Sequence, residues 1–142
     1  MKKILFLPFI LITIFVAGCS SVSSQRFGNK QLESLKTAYV VVAPRGNTTI
    51  SGYIQTALSH HGVQVSAGKI EDKPKDVGFF VTYRERWDWD VAVYLEYLDI
   101  EFVDNTTAQV FASGAFRNTQ LHTFPDPRTK TFEVIDSIYA AK

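Results

Sequence analysis

Residues 77–117 alternate apolar and polar side chains in a pattern that predicts three consecutive antiparallel β-strands. The three segments are Val77–Arg86, Val91–Val103 and Ala108–Arg117, all rich in the β-branched and aromatic residues that favour strands. Turn-forming residues separate them at Trp87–Asp90 and at Asp104–Thr107. Because side chains alternate along a strand, the register of this meander decides which of them reach the core.

Two short turns give the meander one consistent register. A hairpin centred on residues 88–89 and a turn centred on residues 105–106 predict a core face with these pairs: Tyr83–Tyr94, Phe79–Leu98, Val77–Ile100, Ile100–Phe111 and Leu98–Ser113. Tyr97 then lies opposite Gly114, where an aromatic ring can cover a glycine. The face away from the core carries six apolar side chains: Phe80, Val93, Leu95, Tyr97, Val110 and Phe116.

This second face is the strongest candidate for a binding surface. A large exposed apolar patch usually marks contact with a partner, a ligand or a membrane. Trp87 and Trp89 lie at its rim and either extend the patch or brace the turn. The alternative is that the N-terminal tether, residues 118–130 or the curvature of the sheet covers the face.

The rest of the chain predicts a β-α-β unit and a closing helix. Tyr39–Ala43 is a buried strand, and apolar residues with a 3.6-residue period follow it: Ile50, Tyr53, Ile54, Ala57 and Leu58. Gly62 stands where a left-handed helix cap belongs, and a strand begins at Val63. Thr131–Ala141 is the C-terminal helix. The prediction is a two-layer α+β sandwich, with β-α-β, a three-stranded meander and a C-terminal helix, or about five strands and two helices.

The N-terminus has the layout of a secretory signal. Lys2 and Lys3 precede an apolar run, Ile4–Val16, which is shorter than the roughly 20 residues of a spanning helix. The sequence Val16-Ala17-Gly18-Cys19 that follows resembles the lipobox of bacterial lipoproteins. The resemblance implies acylation of the Cys19 sulfur and cleavage between Gly18 and Cys19. The alternative is an ordinary secretory signal with an accidental cysteine.

This resemblance divides the chain into three parts. Residues 1–18 form the signal peptide, residues 19–35 form the lipidated cysteine and a flexible polar tether, and residues 36–142 form a single periplasmic domain. Ser20 follows the acylated cysteine, and Ser at this place resembles the outer-membrane default rather than inner-membrane retention. The expected location is the periplasmic face of the outer membrane.

Composition excludes several classes of protein. Cys19 is the only cysteine, so the chain can form no internal disulfide and no thiolate zinc site. Removing Lys2 and Lys3 from the 15 basic residues leaves 13 against 14 acidic ones, a net charge of −1. Without a basic block, the chain has no electrostatic footprint for nucleic acid.

The polar residues form no recognisable catalytic motif. Asp88 and Asp90 flank Trp89 and could act as an acid–base pair or bind a hard cation, although Asp is also common in turns. His60 and His61 are adjacent on a helix, so their side chains diverge by about 100° and do not form an i, i+4 ligand pair. His122 stands alone in a loop. We expect no metal and no cofactor.

The order of elements, the lipobox and the size together resemble small proteobacterial outer-membrane lipoproteins of uncharacterised function, such as the DUF4136-type lipoproteins. That resemblance implies no catalytic residues. The leading hypothesis is a non-enzymatic accessory that binds an envelope protein through the second sheet face. The alternatives are a carrier of a small molecule or lipid in a helix–sheet pocket, and a hydrolase that uses Asp88 and Asp90.

Overall fold

The structure, a computed structural model, describes residues 20–45, 48–118 and 124–142. They form a mixed α+β fold with a six-stranded sheet and two helices. The strands are β1 (Ser21–Arg26), β2 (Thr37–Val41), β3 (Gln64–Gly68), β4 (Phe79–Trp89), β5 (Val93–Asp104) and β6 (Val110–Arg117); the helices are α1 (Thr48–His60) and α2 (Pro127–Ala140). In space the strands follow the order β1-β6-β5-β4-β2-β3. Within these ranges, no helix has the length and apolar character needed to cross a membrane.

The predicted β-α-β unit is confirmed. β2 and β3 are parallel neighbours, and α1 connects them. The predicted stripe of α1 faces the core, with Ile54 and Leu58 fully buried. Gly62 has a φ of +77°, the left-handed conformation that ends a helix at little cost when the residue is glycine.

Helix α2 begins one turn earlier than predicted, at Pro127 rather than Thr131. Pro127 lies in the first turn, where its missing N–H has no intrahelical partner to lose. The Asp126 carboxylate caps the helix by accepting hydrogen bonds from the Thr129 N–H at 2.9 Å and the Thr129 hydroxyl at 2.6 Å. These hydrogen bonds hold the pKa of Asp126 below its ordinary value of 3.8.

The Asp126 cap predicts a pH-dependent contribution to stability. Since folding lowers the pKa of Asp126, its contribution is full above pH 3.8 and is lost as the pH falls through the folded-state pKa. Asp126→Ala should lower the free energy of unfolding by about 1 kcal/mol at pH 7. Urea denaturation at pH 7 and pH 3 checks this. An equal deficit at both pH values would contradict it.

The segment predicted as a flexible tether is part of the domain. β1 pairs with β6 along its whole length, from Ser21–Arg117 to Arg26–Ala112, and Leu32 is fully buried in the core. The expectation of a tether over residues 19–35 is therefore wrong from Ser21 onward. Strand β1 is an edge strand, and two of its inward side chains, Ser24 and Arg26, meet the C-terminal end of α2, while Val22 packs against the core.

Arg26 joins β1 to the C-terminus of α2. Its guanidinium donates to the carbonyls of Ile138 at 3.0 Å and Tyr139 at 2.6 Å, and pairs with the Glu33 carboxylate at 2.8 Å. The last carbonyls of a helix have no intrahelical donor, so Arg26 satisfies groups that would otherwise need water.

Arg26→Ala should lower the free energy of unfolding by about 1.5–3 kcal/mol, the range for hydrogen bonds to a charged group. Gln25→Ala is the matched control, because the neighbouring Gln25 side chain is exposed on the other side of β1. Chemical denaturation of both variants measures the difference. Equal stability of the two would show that β1 does not hold α2.

Both helices pack on one face of the sheet, and the space between the layers is filled. Fully buried side chains meet there from every layer: Leu32, Val40, Ile54, Leu58, Phe79, Leu98, Ile100, Phe102, Phe116 and Ile135. The rings of Phe79 and Phe102 lie 5.0 Å apart at its centre. Neither α1 nor α2 lies on the opposite face of the sheet.

The β4–β5 hairpin is longer than predicted. Its turn is at residues 90–92, and Trp89 pairs with Val93 instead of lying at the turn. The pairs step from Arg86–Tyr97 to Trp87–Leu95, so one residue of β5 is left unpaired in a bulge. The bulge turns Leu95 to the helix side, where it is fully buried.

The β5–β6 register is also shifted, by three residues. Asp104 and Gln109 close a loop of residues 105–108, while the Asp104 carboxylate accepts the N–H groups of Thr106 and Thr107. A second bulge leaves Phe111 unpaired. Because the total shift is odd, β6 presents the opposite set of side chains, and Phe116 faces the helices instead of the open side.

Candidate functional site: the open face of the sheet

The face of the sheet opposite α1 and α2 is polar at its centre. Three rows of paired residues cross strands β1, β6, β5 and β4 there: Ser21–Arg117–Tyr97–Arg86, Ser23–Ala115–Asp99–Arg84 and Gln25–Ser113–Glu101–Thr82. Small side chains on β1 and β6 and longer ones on β4 and β5 leave a groove of about 330 Å³. We call this the open-face groove.

The open-face groove contains a charged cluster. The Asp99 carboxylate lies 2.6 Å from the Arg117 guanidinium and 3.8 Å from that of Arg84. Arg117 also lies over the Tyr97 ring, 5.0 Å from its centroid, which fixes the guanidinium against the sheet. The Arg84 side chain is 73% exposed and its contact with Asp99 is long, so its charge is accessible to a binding partner.

The predicted apolar partner surface does not exist as one patch. Leu95 and Phe116 are fully buried in the core, because the two bulges and the longer turns invert their faces. Trp87 is half-buried against the core and donates its Nε1–H to Glu85 at 3.1 Å. Trp89 and Val93 are exposed at the tip of the hairpin, 72% and 63% respectively, away from the groove.

Phe80, Tyr97 and Val110 do lie on the open side, but they are separated. Tyr97 lies beside the charged cluster and pairs with Arg117, so the predicted Tyr97–Gly114 pair is wrong. Phe80 and Val110 lie at the far end of the sheet, where both pair with Val103. Lys73 lies over the Phe80 ring at 5.0 Å.

The acidic and histidine candidates have structural roles in the described part of the chain. The Asp88 carboxylate accepts the Trp89 N–H at 2.8 Å, a local interaction at the end of β4. His61 Nε2 lies 2.7 Å from the Asp136 carboxylate, and its ring stacks on Tyr139 at 3.8 Å, so it joins α1 to α2. Across residues 20–45, 48–118 and 124–142, no three His, Asp or Glu side chains form a metal site. His122, Gly18 and Cys19 lie outside the described residues.

Two tyrosines, Tyr83 on β4 and Tyr139 on α2, have raised pKa values on the helix side of the sheet. Burial, with a smaller contribution from the nearby charges of Glu85 and Glu33 respectively, raises the pKa of each phenol to about 12. Both phenols therefore stay protonated at neutral pH. Neither faces the open-face groove, since both pack against the core.

No protein-family model and no curated protein matches the chain. Among solved structures, the PelC dodecamer from Paraburkholderia phytofirmans is similar in two crystal forms, with TM-scores of 0.61 and 0.60 and 13% identity in each. The match covers 87% of this chain, and 100% and 99% of the two PelC chains. The chain shares the fold of PelC.

A PDZ domain protein from Parabacteroides distasonis is also similar, with a TM-score of 0.52 and 11% identity. The match covers 82% of this chain but 34% of that one, so this chain corresponds to about a third of that protein. At these identities the similarities concern the fold alone.

Proposed function

We propose that this protein is a lipoprotein, anchored by acyl chains on Cys19 to the periplasmic face of the outer membrane, and that it binds an envelope protein without catalysing a reaction. Support for the anchor comes from the lipobox-like Val16–Cys19, and Ser20 favours the outer membrane. Since β1 begins at Ser21, the domain lies directly at the bilayer instead of hanging from a tether.

The open-face groove is the observation that supports the binding role. It is the central part of the sheet face that α1 and α2 leave open, and it combines an accessible guanidinium, Arg84, with hydroxyl and amide groups of β1 and β6. Such a surface suits a polar or acidic partner better than the apolar partner that the sequence predicted. The acids nearest the groove are paired with arginines or a threonine hydroxyl, which favours a binding role over acid–base chemistry.

The packing argues against the carrier alternative. A carrier of this design needs a cavity between the helices and the sheet. Here fully buried side chains from both layers occupy that space, and at Gly114 the approach of α2 to β6 leaves no room for a methyl group.

Acylation is tested by growing cells with labelled palmitate. The wild-type protein should carry the label and remain with the membranes, whereas Cys19→Ala should carry none. A labelled Cys19→Ala protein, or an unlabelled wild type, would contradict the anchor.

Partner binding is tested in intact cells with a photo-crosslinking residue at Gln25, beside the groove. Ala140, exposed on α2, is the matched control position. We expect a discrete adduct from position 25 alone, and Arg84→Glu should abolish it while leaving protein levels unchanged. An adduct that forms equally from position 140, or that survives Arg84→Glu, would exclude the groove as the binding surface.

A further inference from the structure

The tip of the β4–β5 hairpin exposes apolar side chains that nothing in the described structure covers. Trp89 is 72% exposed, Val91 85% and Val93 63%. We call these three residues the hairpin tip. Phe124, 52% exposed, lies nearby, with its ring 5.8 Å from that of Tyr94. Isolated apolar residues are common on surfaces, but a cluster that includes tryptophan at the end of a projecting hairpin indicates a contact.

The hairpin tip projects from the same end of the sheet at which β1 begins. Ser21, Arg117, Tyr97 and Arg86 form one row across the four strands, and the hairpin continues beyond this row. Trp89 lies three residues past Arg86, a distance of about 10 Å along a strand. Cys19 precedes Ser21 by two residues, which gives it a reach of at most about 7 Å from the row.

The two sides of the hairpin tip differ in polarity. Trp89 pairs with Val93, so these two side chains share one side of the ribbon. Asp88 pairs with Tyr94, and its side chain lies on the other side because neighbours in a strand alternate. Tryptophan favours the membrane–water interface, where its ring is in contact with lipid and its N–H with water. The arrangement suits shallow contact with lipid and leaves the acids toward water.

We propose that the hairpin tip contacts the bilayer that holds the acyl chains of Cys19, which rests on the lipid anchor proposed above. The protein then has two contacts with the membrane, one covalent and one through Trp89, Val91 and Val93. Because both contacts lie at one end of the sheet, they orient the domain so that this end of the strands points at the bilayer. The open-face groove therefore faces sideways along the membrane surface, where a neighbouring envelope protein can reach it.

The chain has two tryptophans, so fluorescence can report on Trp89 alone. Trp87→Phe leaves Trp89 as the sole tryptophan, and Trp89→Phe leaves Trp87 as the control. Each acylated protein is purified from cells and reconstituted into vesicles of phosphatidylcholine and phosphatidylethanolamine. A second set of vesicles contains lipids brominated near the headgroup end of the acyl chains. If Trp87→Phe does not fold, the wild type compared with Trp89→Phe gives the same information.

We expect Trp89 emission to shift to shorter wavelength in vesicles and to be quenched by the brominated lipids, with little quenching of Trp87. Val91→Ser combined with Val93→Ser should remove most of the Trp89 quenching. The matched control is Phe27→Ser, which removes a side chain 43% exposed at the opposite end of the sheet and should change nothing.

Three results would overturn the proposal, and they are distinguishable from failure of the anchor. Protein that carries labelled palmitate but shows unquenched Trp89 retains the anchor and excludes the lipid contact. A wavelength shift without quenching indicates that a second copy of the chain covers the tip. If Phe27→Ser loses as much Trp89 quenching as the Val91→Ser, Val93→Ser variant, the loss reflects altered folding and not a lipid contact at the hairpin tip. Absence of the palmitate label excludes the anchor itself.

Discussion

Phe116→Ala is expected to lower the free energy of unfolding by about 3–5 kcal/mol, the cost of emptying a fully buried phenylalanine site. Phe116 is 0% exposed and packs in the main core, with α2 above β6. Since domains of this size are stable by only about 5–15 kcal/mol, the variant should be largely destabilised. Urea denaturation followed by circular dichroism measures the change.

Val110→Ala is the matched control for Phe116→Ala. Both residues belong to β6, and the sequence placed both on one exposed face, but Val110 is 36% exposed. Its truncation should cost about 1 kcal/mol or less, because more than a third of the side chain is already in water and only two methyl groups are removed. If both substitutions change the free energy of unfolding by the same small amount, the register predicted from the sequence and its apolar partner surface would be supported instead.

Leu95→Ser and Phe116→Ser are consequently unsuitable as tests of partner binding. Both would place a hydroxyl in the filled space between the helices and the sheet, so loss of a partner would follow from loss of folding. Substitutions of Arg84 avoid this problem, because its side chain is largely exposed and its ion pair with Asp99 is long.

The sequence predicts the elements of this fold better than it predicts their register. The stripe of α1 and the Gly62 cap identify the β-α-β unit, because helical periodicity repeats over several turns. The register of β6, in contrast, depends on a four-residue loop and a single unpaired residue, Phe111. Apolar residues occur on both sides of β6, at Val110, Phe111 and Phe116, so its composition does not distinguish the two faces.

Strand β1 and the groove could not be predicted for a related reason. The sequence Ser21–Arg26 has one apolar residue, Val22, and serines are as typical of linkers as of edge strands. Its place in the sheet is determined by partners distant in sequence: Ser24 donates to the Ser137 carbonyl, and Arg26 to those of Ile138 and Tyr139. The polar groove beside it exists only because β1 adds its side chains to those of β6.

The short distance from Cys19 to β1 changes what a lipid anchor can do. A flexible tether would let the domain rotate and sample many orientations above the bilayer. In the proposed anchored state, a β1 that begins at Ser21 would keep this end of the sheet near the lipid, and the hairpin tip extends from the same end. An anchored domain of this kind presents one defined surface to partners beside it, and the open-face groove occupies that surface.

Gly114→Val is expected to cost at least about 3 kcal/mol, at the upper end of the range for overpacking a core. A Cβ atom at Gly114 would lie 2.8 Å from both Ile138 Cγ1 and Val134 Cγ1, closer than carbon atoms approach without displacement. Both neighbours are fully buried, so neither can move into solvent. The helix would have to rise from the sheet, and Phe116 beside it would lose its packing.

Gly52→Ala is the matched control, since a Cβ at Gly52 in α1 meets nothing within 4 Å. That substitution should stabilise the protein by about 0.5–1 kcal/mol, because glycine is unfavourable inside a helix.

A double-mutant cycle gives the sharper measurement. In Ile138→Ala, the penalty for Gly114→Ala should become smaller, because one of the two side chains that a new methyl would strike has been shortened. Additive effects in that cycle, or a Gly114→Val protein as stable as the wild type, would show that α2 does not rest on β6 at this glycine. The tight contact of α2 with β6 at Gly114 is one part of the packing that argues against a carrier, so the same cycle also tests that argument.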